Sequence, residues 1–238
     1  MIDLRGTRGE LERKAARIIE RTVADIGNGV VLGLCGGRSV PGVFSELAKR
    51  DIDWGRVQIF MVDERMVPVD DAESNFGLVK GLIDRIKIPA ENVHPFRAEQ
   101  GIAGYEEELK LHGGRYDVVL LSSGEDGHIG ALYPEHHSIE DESEFFIEMD
   151  DSPKPPPRRM SMSRKLLLKA DTGILLFFGK ADAYGKFVAA EDFRKCPAAL
   201  VKSLPRPYVL ADVGGTGFIL KTAFPAISLG LNGDFSIQ

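Results

Sequence analysis

The chain has 238 residues, 43% of them hydrophobic, which is enough to bury a large core; α/β folds of this length often form one domain, so residues 1–238 are expected to be a single α/β domain. A formal charge of -6 at neutral pH opposes a nucleic-acid partner, because phosphate-backbone binding needs a basic face. Two cysteines, Cys35 and Cys196, exclude a disulfide framework, the opening MIDLRGTRGELERK is charged where a signal peptide is apolar, and no apolar run approaches the roughly 20 residues of a membrane span, so the protein is expected to be cytoplasmic, a monomer or small homo-oligomer with no membrane partner.

Leu11, Ala15, Ile18, Ile19 and Ile26 recur at helical spacing, so residues 8–26 read as a helix that buries one stripe. Residues 29–34 follow as a buried strand that ends in CGGRS. A helical pattern at 43–50 leads to a strand at 57–62, which ends in Asp63, Glu64 and Arg65. Helical patterns at 75–86 and 103–112 precede the apolar run 116–121 and the loop SSGEDGH. Strands at 144–149, 172–178 and 208–211 and a helix at 181–190 complete the alternation, with the stiff surface loop SPKPPPRR at 152–159. Apolar runs without internal alternation suit a mostly parallel sheet covered by helices on both faces, a layered, modified Rossmann-like α/β fold.

Ligands of open α/β sheets bind beyond the carboxyl ends of the strands. In CGGRS, Gly36 and Gly37 allow close backbone approach, Arg38 offers a bidentate grip on phosphate, and Ser39 is placed to cap a helix starting near Pro41. The spacing fits neither a dinucleotide-binding nor a P-loop motif, and the same residues also suit a plain capped turn. Alternation along the second strand sends Asp63 and Arg65 to one side and Glu64 to the other, an arrangement that orients a substrate or forms a structural ion pair. In SSGEDGH, Gly124 and Gly127 permit a sharp turn that presents Glu125, Asp126 and His128, and an oriented neutral imidazole there takes a proton from water.

Two other chemistries fit less well. His128, His136 and His137 with Asp126 match neither HExxH nor a Cys/His zinc spacing. Cys35 and Ser123 lack the GxSxG elbow of an acyl-transfer nucleophile.

Taken together, CGGRS, DERMVPVDDAESN (63–75), GEDGHIGALYP and SPKPPPRRMSMS, in this order and spacing, resemble the 6-phosphogluconolactonase family, over about residues 33–212. The resemblance implies the glucosamine-6-phosphate isomerase-like fold and hydrolysis of 6-phosphoglucono-1,5-lactone to 6-phosphogluconate in the oxidative pentose phosphate pathway, with a small phosphorylated sugar lactone as partner. It implies no metal and no organic cofactor. His128 would be the general base, Asp126 or Asp63 its orienting carboxylate, and Arg65 or loop amides the oxyanion stabiliser. The turn Gly36, Gly37, Arg38 and Ser39 would hold the phosphate with Arg158 or Arg159. The family's GxxK element reads GKAD here, so Asp182 stands where a lysine is expected, and Lys180 or Lys186 would substitute.

Glucosamine-6-phosphate deaminase/isomerases are similar but typically read GHIxFNEP; in GHIGALYP the carboxylate position is Tyr133. A non-catalytic sugar-phosphate sensor domain is the third alternative.

Overall fold

The structure, a computed structural model, describes residues 1–27, 29–214 and the backbone of 218–220. Strand β1 (Ile2–Arg5) leads into helix α1 (Arg8–Asp25), whose start is fixed by Glu10: its carboxylate accepts the Thr7 N–H and hydroxyl at 2.9 and 2.8 Å. The stripe Leu11, Ala15, Ala16, Ile19 and Val23 is buried, as helical spacing requires. Then come β2 (Val30–Leu34), α2 (Pro41–Leu47), β3 (Val57–Met61), β4 (Asp63–Arg65), α3 (Phe76–Ile83), β5 (Val93–His94), α4 (Gly101–Leu111) and β6 (Val118–Ser122). The second half contains α5 (His137–Glu140), β7 (Phe146–Met149), β8 (Arg159–Met162), α6 (Arg164–Leu168), β9 (Thr172–Phe177), α7 (Ala181–Ala189), β10 (Arg206–Ala211) and β11 (Phe218–Leu220).

The main sheet has eight strands in the order β11-β1-β10-β9-β6-β2-β3-β5, and only the β1–β11 pair is antiparallel. Its central strands are buried along their whole length in β2 and β9, so they read as unbroken apolar runs rather than as alternations. Each fully buried leucine or isoleucine of this set, such as Leu32, Leu120 or Ile174, contributes roughly 1.5–3 kcal/mol of apolar burial. Among the described residues no helix is long and apolar enough to cross a membrane.

A second sheet of three antiparallel strands, in the order β4-β8-β7, lies apart from the first in pairing. This corrects one expectation: the strand anticipated at 144–149 forms as β7, but it joins the small sheet rather than the parallel one. Its partner β8 is short and carries polar residues, which hides it from a search for apolar runs. Those polar residues are satisfied internally, since the buried Ser161 hydroxyl accepts the Ala131 N–H at 3.0 Å and donates to the Met162 carbonyl at 3.0 Å.

Candidate active site

Strand order reverses between β2 and β6. The chain builds from β2 through β3 to β5, then returns to the other side of β2 with β6 and continues to β9 and β10. Loops leaving two adjacent strands in opposite directions open a crevice at their carboxyl ends. A cleft of about 400 Å³ lies there, walled by the turn 35–38 after β2 and the turn 122–125 after β6.

Strand β4 supplies one wall. Asp63 and Arg65 face the cleft, whereas Glu64 points away and is buried. The Glu64 carboxylate accepts the N–H groups of Arg65, Asn75 and Phe76 at 2.7, 2.7 and 2.8 Å, and the Ser74 hydroxyl at 2.9 Å. It thereby holds the first amides of α3, where negative charge is favoured. With that end occupied, the Asn75 side chain is free for the cleft, and its Nδ2 donates to the Asp63 carboxylate and carbonyl, both at 3.0 Å. Gly36 is fixed by the same contact, because a Cβ there would lie 1.9 Å from Asn75 Oδ1. Burial pushes the Asp63 carboxyl above the ordinary aspartate range, opposed by Arg159, Arg65, His128 and the bond from Asn75.

The loop after β6 supplies the imidazole. His128 Nδ1 lies 2.6 Å from Asp126 Oδ1, which also accepts the His128 backbone N–H at 3.2 Å. Burial tends to raise the Asp126 carboxyl, but the bond from His128, its charge and Lys154 hold it well below the usual range. An ionised Asp126 accepts the Nδ1 proton and so leaves the Nε2 lone pair as the basic position. Gly124 is required by close approach: a Cβ there would sit 2.1 Å from both Cε1 and Nδ1 of the same ring. The Tyr133 ring lies 4.9 Å from His128, and its hydroxyl accepts the Ser152 hydroxyl at 2.9 Å.

The positive groups complete the cleft. Arg65 and Arg159 stand directly opposite one another across β4 and β8. Arg65 donates to the Glu73 carbonyl, and Arg159 donates to the carbonyls of Pro156, Pro155 and Lys154 at 3.1, 2.9 and 3.3 Å. Among the described residues neither has a carboxylate within ion-pair distance, so both charges remain available to an anion. Lys180, at the end of β9, donates to the Ser123 carbonyl and to Ser122 Oγ at 3.3 Å, and burial lowers its pKa. The Cys35 thiol is pushed up to about 12 by burial, chiefly, and by Asp63, which removes it as a nucleophile at neutral pH. Ser123 is buried, and its hydroxyl donates to the Gly124 carbonyl at 2.9 Å rather than to the imidazole.

Residues 6–207 match the family described as glucosamine-6-phosphate isomerases/6-phosphogluconolactonase. The chain belongs to this family. A 6-phosphogluconolactonase from Borreliella burgdorferi is 32% identical, with 76% of this chain and 83% of that protein covered. One from Streptomyces coelicolor is 31% identical over 91% of this chain and 93% of its own length. The solved 6-phosphogluconolactonase of Thermotoga maritima shares the fold at a TM-score of 0.78, with 22% identity over 89% of this chain and 100% of that one.

In this member of the glucosamine-6-phosphate isomerase/6-phosphogluconolactonase family, the cleft gathers Gly36, Gly37, Arg38, Asp63, Arg65, His128, Arg159 and Lys180. Asp126 stands behind His128. Three expected residues lie elsewhere, and each has a local reason. Ser39 is buried outside the cleft and does not cap α2, whose N-cap is Val40 without a side-chain bond. Arg158 precedes β8 by one residue, so it points away from Arg159 and reaches Glu148 at 3.7 Å. Lys186 is exposed on α7, with its ammonium 3.5 Å from the Glu125 carbonyl. Arg38 is at the rim, its side chain 94% exposed and 3.9 Å from Glu125. Asn75, Tyr133 and Lys154 also line the cleft. Asn75 and Lys154 had no signal in the sequence beyond membership of the quoted motifs, and Tyr133 stood out only as the residue at the isomerase carboxylate position.

Proposed function

We propose that the protein hydrolyses 6-phosphoglucono-1,5-lactone with His128 as general base. The observation that carries this reading is the Asp126–His128 pair opening into a cleft whose other charged walls are Arg65, Arg159 and Lys180. Nε2 takes a proton from a water whose oxygen attacks C1 of the lactone. Arg65 stabilises the oxyanion of the tetrahedral intermediate. Collapse breaks the bond between C1 and the ring oxygen, the imidazolium returns its proton to that oxygen, and the new C1 carboxyl loses the second proton of the water to solvent, so that 6-phosphogluconate leaves as an open-chain carboxylate. Asp63, held by Asn75, balances the imidazolium and the arginines. Arg159, Lys180 and the turn 36–38 hold the 6-phosphate. The relatives named 6-phosphogluconolactonase support this choice of substrate.

The deaminase/isomerase reading needs further acid-base groups for ring opening and proton shuttling. Tyr133, at the position of the isomerase carboxylate, is buried with its hydroxyl bonded to Ser152, and burial raises its pKa. The deciding experiment follows freshly generated 6-phosphogluconolactone against its spontaneous hydrolysis, alongside ammonia release from glucosamine 6-phosphate. Acceleration of the first alone is expected. Ammonia release without lactone hydrolysis would replace the reading by the isomerase, and silence on both by a sugar-phosphate sensor.

Lys180 gives a pH signature. Its lowered pKa means that its positive charge is lost at lower pH than the 10.5 of an ordinary lysine. Affinity for 6-phosphogluconate, measured by calorimetry, should therefore fall on the alkaline side from below that value. The Lys180→Met variant should bind more weakly and lack this limb. An identical alkaline limb in the variant would assign the titration to another group.

A further inference from the structure

Outside the cleft, the imidazoles of His136 and His137 and the carboxylate of Asp151 converge, one donor atom from each lying within 4.8 Å of the others. His136 Nε2 is 3.4 Å and His137 Nε2 is 2.8 Å from Asp151 Oδ1. His136 Nε2 is buried and takes part in no hydrogen bond, although a buried polar nitrogen ordinarily has a partner. Two imidazoles and a carboxylate form a donor set suited to zinc. Tetrahedral ligands at metal distances of about 2.0–2.1 Å stand roughly 3.3 Å apart, close to the His136–Asp151 spacing.

We propose that His136, His137 and Asp151 form a binding site for a zinc-class divalent cation, with water in the fourth position. Asp151, with its side chain 56% exposed, brings the carboxylate charge to the two imidazoles. Metal on His136 Nε2 places the ring proton on Nδ1, and the Ser138 hydroxyl lies 3.0 Å away to accept it. The Ser138 N–H donates to the same Nδ1 at 3.2 Å in the metal-free protein, so metal binding requires the ring to turn from that amide toward the hydroxyl. His128 and Asp126 are bonded to each other in the cleft and are not members of this set.

The position gives the cation a purpose. His136 packs edge-on against Tyr133 at 5.7 Å, and Tyr133 packs against His128. Asp151 precedes Ser152, whose hydroxyl holds the Tyr133 hydroxyl. A cation would therefore cross-link the two segments that brace the cleft wall behind the base.

The test uses tag-free full-length protein titrated with zinc by calorimetry and with cobalt by visible absorption. One equivalent of zinc, with cobalt bands of tetrahedral intensity, is expected. His137→Asn and Asp151→Asn should each weaken binding by at least about tenfold. Both side chains are more than half exposed, at 55% and 56%, so the variants should fold. His128→Ala serves as the control that retains native zinc affinity. Failure to bind zinc stoichiometrically, native affinity in either ligand variant, or loss of binding in the His128 control would overturn the proposal.

Discussion

Replacing His128 with alanine is expected to lower kcat/KM for the lactone by about 10²- to 10⁴-fold, the usual contribution of a positioned general base. The loss should fall on kcat, because in the proposed mechanism the ring acts on water while Arg159 and Lys180 hold the phosphate. Binding of 6-phosphogluconate should therefore stay near the native value. The variant should also remain folded, since it opens space beside Gly124 rather than filling it. Equal hydrolysis rates for the two proteins would remove His128 from the mechanism. A fall confined to KM would move it to binding.

The second large effect concerns stability. Glu64→Ala removes the acceptor shared by the amides of Arg65, Asn75 and Phe76 and by the Ser74 hydroxyl. Each orphaned donor costs about 1–3 kcal/mol if it stays dry, and water entering the vacated space offsets part of the sum. A net loss of about 3–5 kcal/mol is expected, on the scale of breaking a buried charged network. Urea unfolding with a constant slope measures it. Glu64→Gln keeps one carbonyl acceptor and should fall between the two. A change below about 1 kcal/mol in the alanine variant would show that the loop holds itself. The same substitution should also slacken Asn75, and through it the Asp63 carboxylate.

The parallel sheet was legible because its strands are buried on both faces and so appear as plain apolar runs. The facing of Asp63 and Arg65 was legible too, since residues two apart in extended chain share a face even though 63–65 form β4 of the small sheet rather than the end of β3. Arg158 and Arg159 differ by one position, and choosing between them needs the register of β8, a strand too short and polar to announce itself. The carboxylate that occupies the first amides of α3 lies eleven positions upstream of Asn75, a contact with no local signature. Lys180 against Lys186 was decidable in principle: the first lies in the short turn between β9 and α7 and the second rides an outward helix face. The grouping of His136 and His137 with Asp151 depends on a loop closing over 14 residues, which spacing rules do not describe.

The facing pair Arg65 and Arg159 makes the ligand-free protein electrostatically frustrated. Two like charges held opposite one another across an antiparallel pair repel. The small sheet tolerates this because backbone carbonyls anchor both side chains and the nearby Asp63 carboxylate offsets part of their charge. In the proposed reaction the oxyanion at Arg65 and the phosphate at Arg159 would each bring the negative charge its arginine lacks, so occupancy is expected to tighten the sheet itself as well as the cleft. Substrate would then act as a missing structural member, and the protein is expected to be sturdiest while it is working.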